Sequence, residues 1–408
     1  MTRVESCLSC GAPRPVPVLS LGDSPLANRF LTGPDPDPTE PVFPLELVFC
    51  EACGLVQLSE HVDPEILFRD YIYVTGTSST MERHHRDLAQ SHVSRFELKG
   101  GDLVVDVASN DGSLLKCFQP YGVRVLGVEP ARNLARIANE AGVPTLDVFF
   151  GAGSAEDIRR SHGPARHVSA NNVMAHVPDL NGFLEGMRIL TEPHGVVSIE
   201  APYLGPMLDG LEYDTVYHEH LSYFSVRPVA AAFARHGLGI VDLVRLPIHG
   251  GTMRYVAKPG VPHGPVVEAL LAEERAKGFE DVGTYLAFAK RVAENRRALR
   301  EFLAGLKAEG RVVAAYGAPA KGNTLLNYCG IGTDLVSFCV DRNPFKVGKY
   351  TPGMRIPVLP VGELLNRRPD AVLILPWNLT EEIVRQEAEY VRRGGRFFTP
   401  LPEPRFVS

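Results

Sequence analysis

Twice in 408 residues an apolar strand runs into a turn of small residues and then a helix: DLVVDVASNDGSLL (102–115) and RVVAAYGAPAKGNTLL (311–326). Strand–helix alternation narrows the possible architectures sharply. Each crossover helix must bury its apolar stripe on the sheet, so the strands run mainly parallel and the sheet is covered on both faces. Around the first unit, SLLKCFQPYG reads as a helix ending near Gly122, and VRVLGVE (123–129) as the next strand. In ARNLARIANEAG, helical spacing puts Leu134, Ile137, Ala138 and Ala141 on one face, with Gly142 as the stop. HVSANNV and HGVVSIEAP continue the strand series, and GLGIVDLVRL with TMRYVAK forms a closing antiparallel pair. Residues 266–309 are strongly helical, with Val282, Leu286, Ala289, Val292, Ala293, Leu299, Phe302 and Leu306 in register. After the second unit come LVSFCVDRNP and DAVLILPWN, again strand-like.

The first 66 residues are different, rich in proline and loops and poor in periodicity. A segment of this kind buries little apolar surface and needs a staple. It contains Cys7 and Cys10, then, after a gap of 39 residues, Cys50 and Cys53. Each CxxC knuckle presents two thiolates, and four sulfurs complete a tetrahedral Zn2+ site with no position left for water, so the metal is structural. Cys117, Cys329 and Cys339 are scattered and read as core residues. The expected organisation is a zinc-binding module (1–66) followed by two doubly wound α/β domains, 67–260 and 261–408. Chelation should melt the first while the central fold persists.

With 45% hydrophobic and 22% charged residues the chain is of ordinary globular composition, and a net charge of −6 argues against a nucleic-acid-binding face. No stretch is long and apolar enough for a secretory signal or a membrane span. The expectation is a cytoplasmic protein, a monomer or small homo-oligomer, with neither nucleic acid nor membrane as partner.

Two turns suggest ligands. In the first, Asp106 precedes a turn with a single glycine, Gly112, and Glu129 stands at the end of the next strand, about 20 residues on, where a carboxylate accepts from ribose hydroxyls. A dinucleotide pyrophosphate prefers a glycine-rich helix N-terminus. The acidic turn suits a cationic ligand instead, such as the ammonium and sulfonium of S-adenosylmethionine. In the second, Gly317, Lys321 and Gly322 open a helix, and Asp341 ends the strand that follows, 24 residues after Gly317. A helix N-terminus with a lysine suits a diphosphate. On residues alone this could also be a nicotinamide site, although GxGxxG is missing. Trp377 and Asn378, at a strand end, either flank a base or sugar or serve packing.

The segments VVDVASNDGSLL, GVEP, NNVMAHVPDL and YHEH, with the cysteine pairs, LGDSPLANRF and YGAPAKGNTLLNYCGIG, resemble the sugar C-methyltransferases that act on nucleotide-linked 4-keto-deoxysugars, over nearly the whole length. One departure is Ala108-Ser109, where the family usually has a more glycine-rich turn, often with Gly-Cys. The resemblance implies a class I methyltransferase Rossmann-like fold for residues 67–260, a donor site that includes Asn110, Pro130 and Asn172, and a last domain that takes the diphosphate and nucleoside through residues including Gly317, Ala318 and Lys321.

The stretch DTVYHEHLSYF (214–224) crowds proton-handling groups together. Methylating a carbon beside a ketone requires an enolate, hence a base titrating near neutrality, which histidine supplies, and groups that hold the oxyanion. The resemblance makes His220 the base, with Tyr217 and Glu219 orienting it or contacting the sugar, and His176 beside the pocket. Tyr73, more than Tyr71, matches a segment that covers the substrate. His218 stands where relatives often have aspartate and carries no role. Alone, His218 and His220 could be a satisfied buried pair, and a metal at His218, Glu219 and His220 would lack a further ligand. The expected substrate is a dTDP- or GDP-linked 4-ketosugar methylated at C3. The alternatives are C5 methylation, or O- or N-methylation of another small molecule.

Overall fold

The computed structural model describes residues 2–35, 40–69 and 79–408; Tyr71 and Tyr73 lie outside them. The fold is α/β, with an N-terminal metal-site module, a central methyltransferase sheet and a C-terminal doubly wound sheet.

The central sheet has seven strands in the spatial order Leu238–Leu246, Thr252–Pro259, Thr191–Pro202, Ala165–Asn171, Leu103–Val107, Arg124–Val128 and Thr145–Leu146. Only Thr252–Pro259 runs antiparallel to its neighbours, forming the closing pair that the sequence predicts. Every residue of Leu103–Val107 is buried, as expected of a parallel strand covered on both faces. The helix Ser113–Phe118 continues through one 3₁₀ turn and stops at Gly122, where φ is 74°. Strand order reverses between Leu103–Val107 and Ala165–Asn171, which opens a crevice at their carboxyl ends.

The C-terminal sheet runs Val358–Pro360, Cys339–Asp341, Val313–Tyr316, Ala371–Ile374, Arg396–Thr399 and Arg405–Phe406. All neighbours are parallel except the last pair. The helix Ala320–Cys329 starts at its switch point.

The N-terminal module differs from the loop-rich reading. Val16–Pro25, Val42–Phe49 and Val56–Leu58 form an antiparallel sheet whose fourth strand is Ser222–Tyr223, immediately after YHEH. Leu45, Leu47 and Phe49 alternate inward. Register shifts at Pro17/Leu19 and Ser20/Asp23 bend the partner strand and break its pattern.

The helical region after the central sheet divides into Pro265–Ala276 and Val282–Ala308. Gly278 at φ 75° stops the first, and Asp281 caps the second by accepting from Gly283 N at 2.8 Å. Its buried stripe is Tyr285, Phe288, Val292, Asn295, Leu299, Leu303 and Leu306, so Leu286 is 50% exposed instead of inward. Tyr285 packs on Phe49 of the N-terminal sheet, with ring centroids 4.6 Å apart. Asn295 donates to the carbonyls of Pro400 and Pro402 (2.9 and 3.0 Å) and accepts from the Tyr213 hydroxyl at 2.8 Å. One helix thus fastens the N-terminal sheet, the end of the chain and the turn that leads into YHEH. Among the described residues no helix is long and apolar enough to cross a membrane.

Candidate active site

The cysteine pairs converge. Cys7 Sγ lies 3.5 Å from Cys53 Sγ and Cys10 Sγ 3.6 Å from Cys50 Sγ, and all four sulfurs are within 4.8 Å of one another. Tetrahedral zinc with Zn–S of about 2.3 Å requires S···S edges of about 3.8 Å. The donor set therefore fits a closed Zn2+ site, and the metal holds the two knuckles together.

Behind the central sheet's carboxyl edge lies a cavity of about 720 Å³. Its first wall is the turn after Leu103–Val107. Ala108, Asn110 and Gly112 all take left-handed φ (55°, 52° and 74°), so the backbone curls tightly enough for Asn110 N to reach Glu129 Oε2 at 2.8 Å. Glu129 Oε1 accepts from Ala131 N at 2.8 Å. Each carboxylate oxygen keeps a further lone pair for a ribose hydroxyl. Asp106, Asn110, Glu129, Pro130 and Asn172 line the cavity. Gly112 does not: a side chain there would meet Val143 at 3.0 Å, so this glycine serves helix packing. Asp106 accepts from Ser169 Oγ at 2.6 Å. Burial, and then Glu129 and Glu200, push its carboxyl up to about 7. A cation in the cavity would restore the charged form. Asn171 Oδ1 and Asn172 Oδ1 are buried with no partner among the described residues, which leaves two acceptors facing a cationic ligand. These residues fit S-adenosylmethionine. Glu129→Ala is expected to weaken its binding by about 10- to 100-fold. Calorimetry checks this, and an unchanged Kd would move the ribose elsewhere.

The second wall carries the crowded stretch. His220 donates from Nδ1 to the Thr215 carbonyl at 2.9 Å, and its Nε2 lies 2.8 Å from the Tyr217 hydroxyl. The carbonyl can only accept, so the proton sits on Nδ1 and Nε2 is left basic, accepting from Tyr217. The His176 ring stands edge-on to His220, centroids 4.9 Å apart. Burial pulls His176 down to about 4, and burial with His176 holds His220 well below the ordinary histidine range. Both are neutral at pH 7. His176, Tyr217 and His220 line the cavity. Glu219 stands one layer back and accepts from Asn28 Nδ2 at 2.6 Å. His218 points the other way, its Nε2 3.3 Å from the Phe43 carbonyl and its ring against the Phe43 ring. The two histidines therefore do not form a pair.

The third wall is the start of the helix Ala320–Cys329, with Pro319, Ala320 and Lys321 beside Asn343 and Lys346. Gly317 and Ala318 lie behind it. Asp341 accepts from Ala318 N and Asn343 N, both at 2.7 Å, and so shapes the turn. The Lys321 ammonium bonds the Asn378 side-chain oxygen and sits 4.2 Å from the centre of the Trp377 ring. Trp377 Nε1 in turn donates to Asp214 at 2.7 Å. Trp377 and Asn378 border a separate, smaller cavity.

Among the residues of the large cavity that sequence reasoning did not single out are Asn28, Lys346 and His249. Asn28 lies inside the LGDSPLANRF segment, and that membership was its one available signal. His249 sits in a His-Gly-Gly turn whose role no local periodicity reveals.

Three family models match in succession: a zinc binding domain over 7–68, a methyltransferase domain over 81–243 and a C-methyltransferase C-terminal domain over 247–402. C-methyltransferase NovU of Streptomyces niveus is 40% identical, with 99% of this chain and 97% of that protein covered. Partial likenesses extend to solved structures. The PH0226 protein of Pyrococcus horikoshii OT3 has a TM-score of 0.38 at 15% identity, covering 48% of this chain and 96% of its own. An S-adenosylmethionine-dependent methyltransferase of Clostridium acetobutylicum has a TM-score of 0.35 at 11% identity, covering 44% and 92%. The assignment rests on the full-length relative and the three domain matches: the chain belongs to the C-methyltransferase family and works with S-adenosylmethionine and a structural Zn2+.

Proposed function

We propose that the acceptor is a nucleotide-linked 4-keto-deoxysugar, methylated on the carbon beside the ketone, at C3, after His220 removes that carbon's proton. The observation that carries this reading is a neutral imidazole with its basic nitrogen oriented on a cavity wall. The same cavity contains the donor turn and the start of the last domain's helix. Methylation of oxygen or nitrogen uses a lone pair already present; methylation of carbon needs one to be made.

When bound, S-adenosylmethionine supplies a sulfonium-activated methyl group. The chain's residues do the rest. Glu129 and the Ala108–Gly112 turn fix the donor's nucleoside end. Thr215 holds the His220 tautomer, and Tyr217 shares its Nε2, so the proton leaves the sugar either directly to His220 or through the Tyr217 hydroxyl. Positioned proton transfer contributes about 10²–10⁴-fold. His176, on the same cavity wall, would offer a donor to the developing enolate oxygen. The helix start at Pro319–Lys321 and Lys346 provide positive potential for a diphosphate. Incubation with S-adenosylmethionine and a panel of dTDP- and GDP-linked 4-ketosugars, read by mass spectrometry and proton NMR, is expected to show one methyl group replacing a hydrogen on a ring carbon beside the ketone. A gain confined to oxygen or nitrogen, or no gain on any nucleotide sugar, would overturn the reading.

A further inference from the structure

Between the last two strands of the central sheet, Pro247–Gly251 makes a turn with three successive left-handed residues: His249 (φ 55°), Gly250 (93°) and Gly251 (130°). The glycines take this conformation freely, but for His249 it is strained, and such strain persists only where the surroundings impose it. Here they do. A Cβ at Gly250 would meet Glu212 Oε2 at 2.7 Å and the Trp377 ring at 3.0 Å, and one at Gly251 would meet Pro206 at 2.5 Å. The Gly251 carbonyl accepts from Tyr203 N at 3.0 Å. The turn is clamped between the central sheet's loops and the last domain.

The clamp presents the His249 imidazole to the active-site cavity. The side chain is exposed, yet protein surrounds it closely enough to pull its pKa down to about 4, with Lys321 the next cause after burial. It makes no hydrogen bond with the described residues. Nearby carboxylates are engaged or neutral. Glu200 is held by Arg254 (2.6 Å) and His84 (2.9 Å), and Glu212 is pushed up to about 8 by burial and Asp214. A cavity-facing imidazole with no hydrogen-bond partner among the described residues, beside a lysine ammonium, is a place for an anionic oxygen.

We infer that His249 is a substrate-contacting residue, binding together with Lys321 a phosphoryl oxygen of the nucleotide-linked substrate at the cavity mouth. This rests on the nucleotide-sugar reading above, and the test separates the two. Titration calorimetry of the full-length, zinc-loaded protein uses dTDP, GDP and the matching unphosphorylated nucleosides as probes, with S-adenosylhomocysteine as the fold control. His249→Asn keeps a residue suited to left-handed backbone, and His249→Ala tests the same contact independently. Both are expected to weaken binding of the preferred nucleoside diphosphate by about 10- to 100-fold, leaving nucleoside and S-adenosylhomocysteine affinities unchanged. Wild-type binding of a diphosphate with no loss in either variant would overturn the His249 contact alone. Equal loss for the bare nucleoside, or joint loss of S-adenosylhomocysteine, would also overturn it, since the residue would then serve the base or the fold. Failure of the wild type to bind any nucleoside diphosphate would overturn both readings.

Discussion

His220→Asn is expected to lower turnover by about 10²–10⁴-fold while leaving S-adenosylmethionine affinity unchanged. Asparagine can still donate toward the Thr215 carbonyl, but it cannot accept a proton. The proposed donor contacts, at Glu129 and the Ala108–Gly112 turn, belong to different elements from the stretch that carries His220. The pH dependence follows from the same burial. His220 is held well below 6.5, its base form being the neutral one. As pH falls, the wild type therefore keeps the active form through 6.5 and loses turnover only at lower pH, where the imidazole gains its proton. An acid limb at or above 6.5 would mean that a different, solvated group is the base.

Removing the metal is expected to abolish turnover, by about 10²-fold or more, with S-adenosylmethionine binding retained within about tenfold. The prediction departs from the simple expectation of separable modules, because the metal-site sheet includes residues that directly follow the proposed base. Ser222 and Tyr223 pair with Gln57 and Val56. Leu58 N donates to the Leu221 carbonyl at 2.9 Å, one residue from His220. Asn28, in the loop leaving the strand Val16–Pro25, holds Glu219. Cys50 and Cys53 close the turn between Val42–Phe49 and Val56–Leu58, the second of which carries this pairing. Structural zinc supplies about 10–16 kcal/mol in small modules, so the sheet should not outlast its loss. The proposed donor contacts sit at the carboxyl edge of the central sheet, on other elements. Chelation or Cys50→Ser, followed by donor titration and activity, checks both halves. Full activity without metal would detach the module from the chemistry.

The central architecture was legible because its signals are local. Apolar strands, glycine stops at Gly122 and Gly142 and the closing antiparallel pair all lie within short windows. The same holds for Asp106, Asn110, Glu129, Asn172, His176, Tyr217, His220 and Lys321, all of which reach one cavity. The N-terminal sheet was hidden by prolines and register shifts, and its fourth strand comes from residues about 165 positions later in the chain. In the long helix Leu286 and Ala293 alone of the eight in-register residues face solvent, and the inward Asn295, which satisfies distant carbonyls, is invisible to a periodicity that counts only apolar residues. Asn28 and His249 gain their significance from partners in other domains, and the sequence between them holds no trace of that.

The central claim is that His220 takes the proton from the carbon that is methylated. The most direct measurement incubates the enzyme with the 4-ketosugar nucleotide in D2O, with S-adenosylhomocysteine occupying the donor site, and follows deuterium entering that carbon by NMR. Wild-type protein is expected to exchange the proton without any methyl transfer, and His220→Asn to slow the exchange by about 10²-fold or more. Exchange at the wild-type rate in the variant would contradict the account.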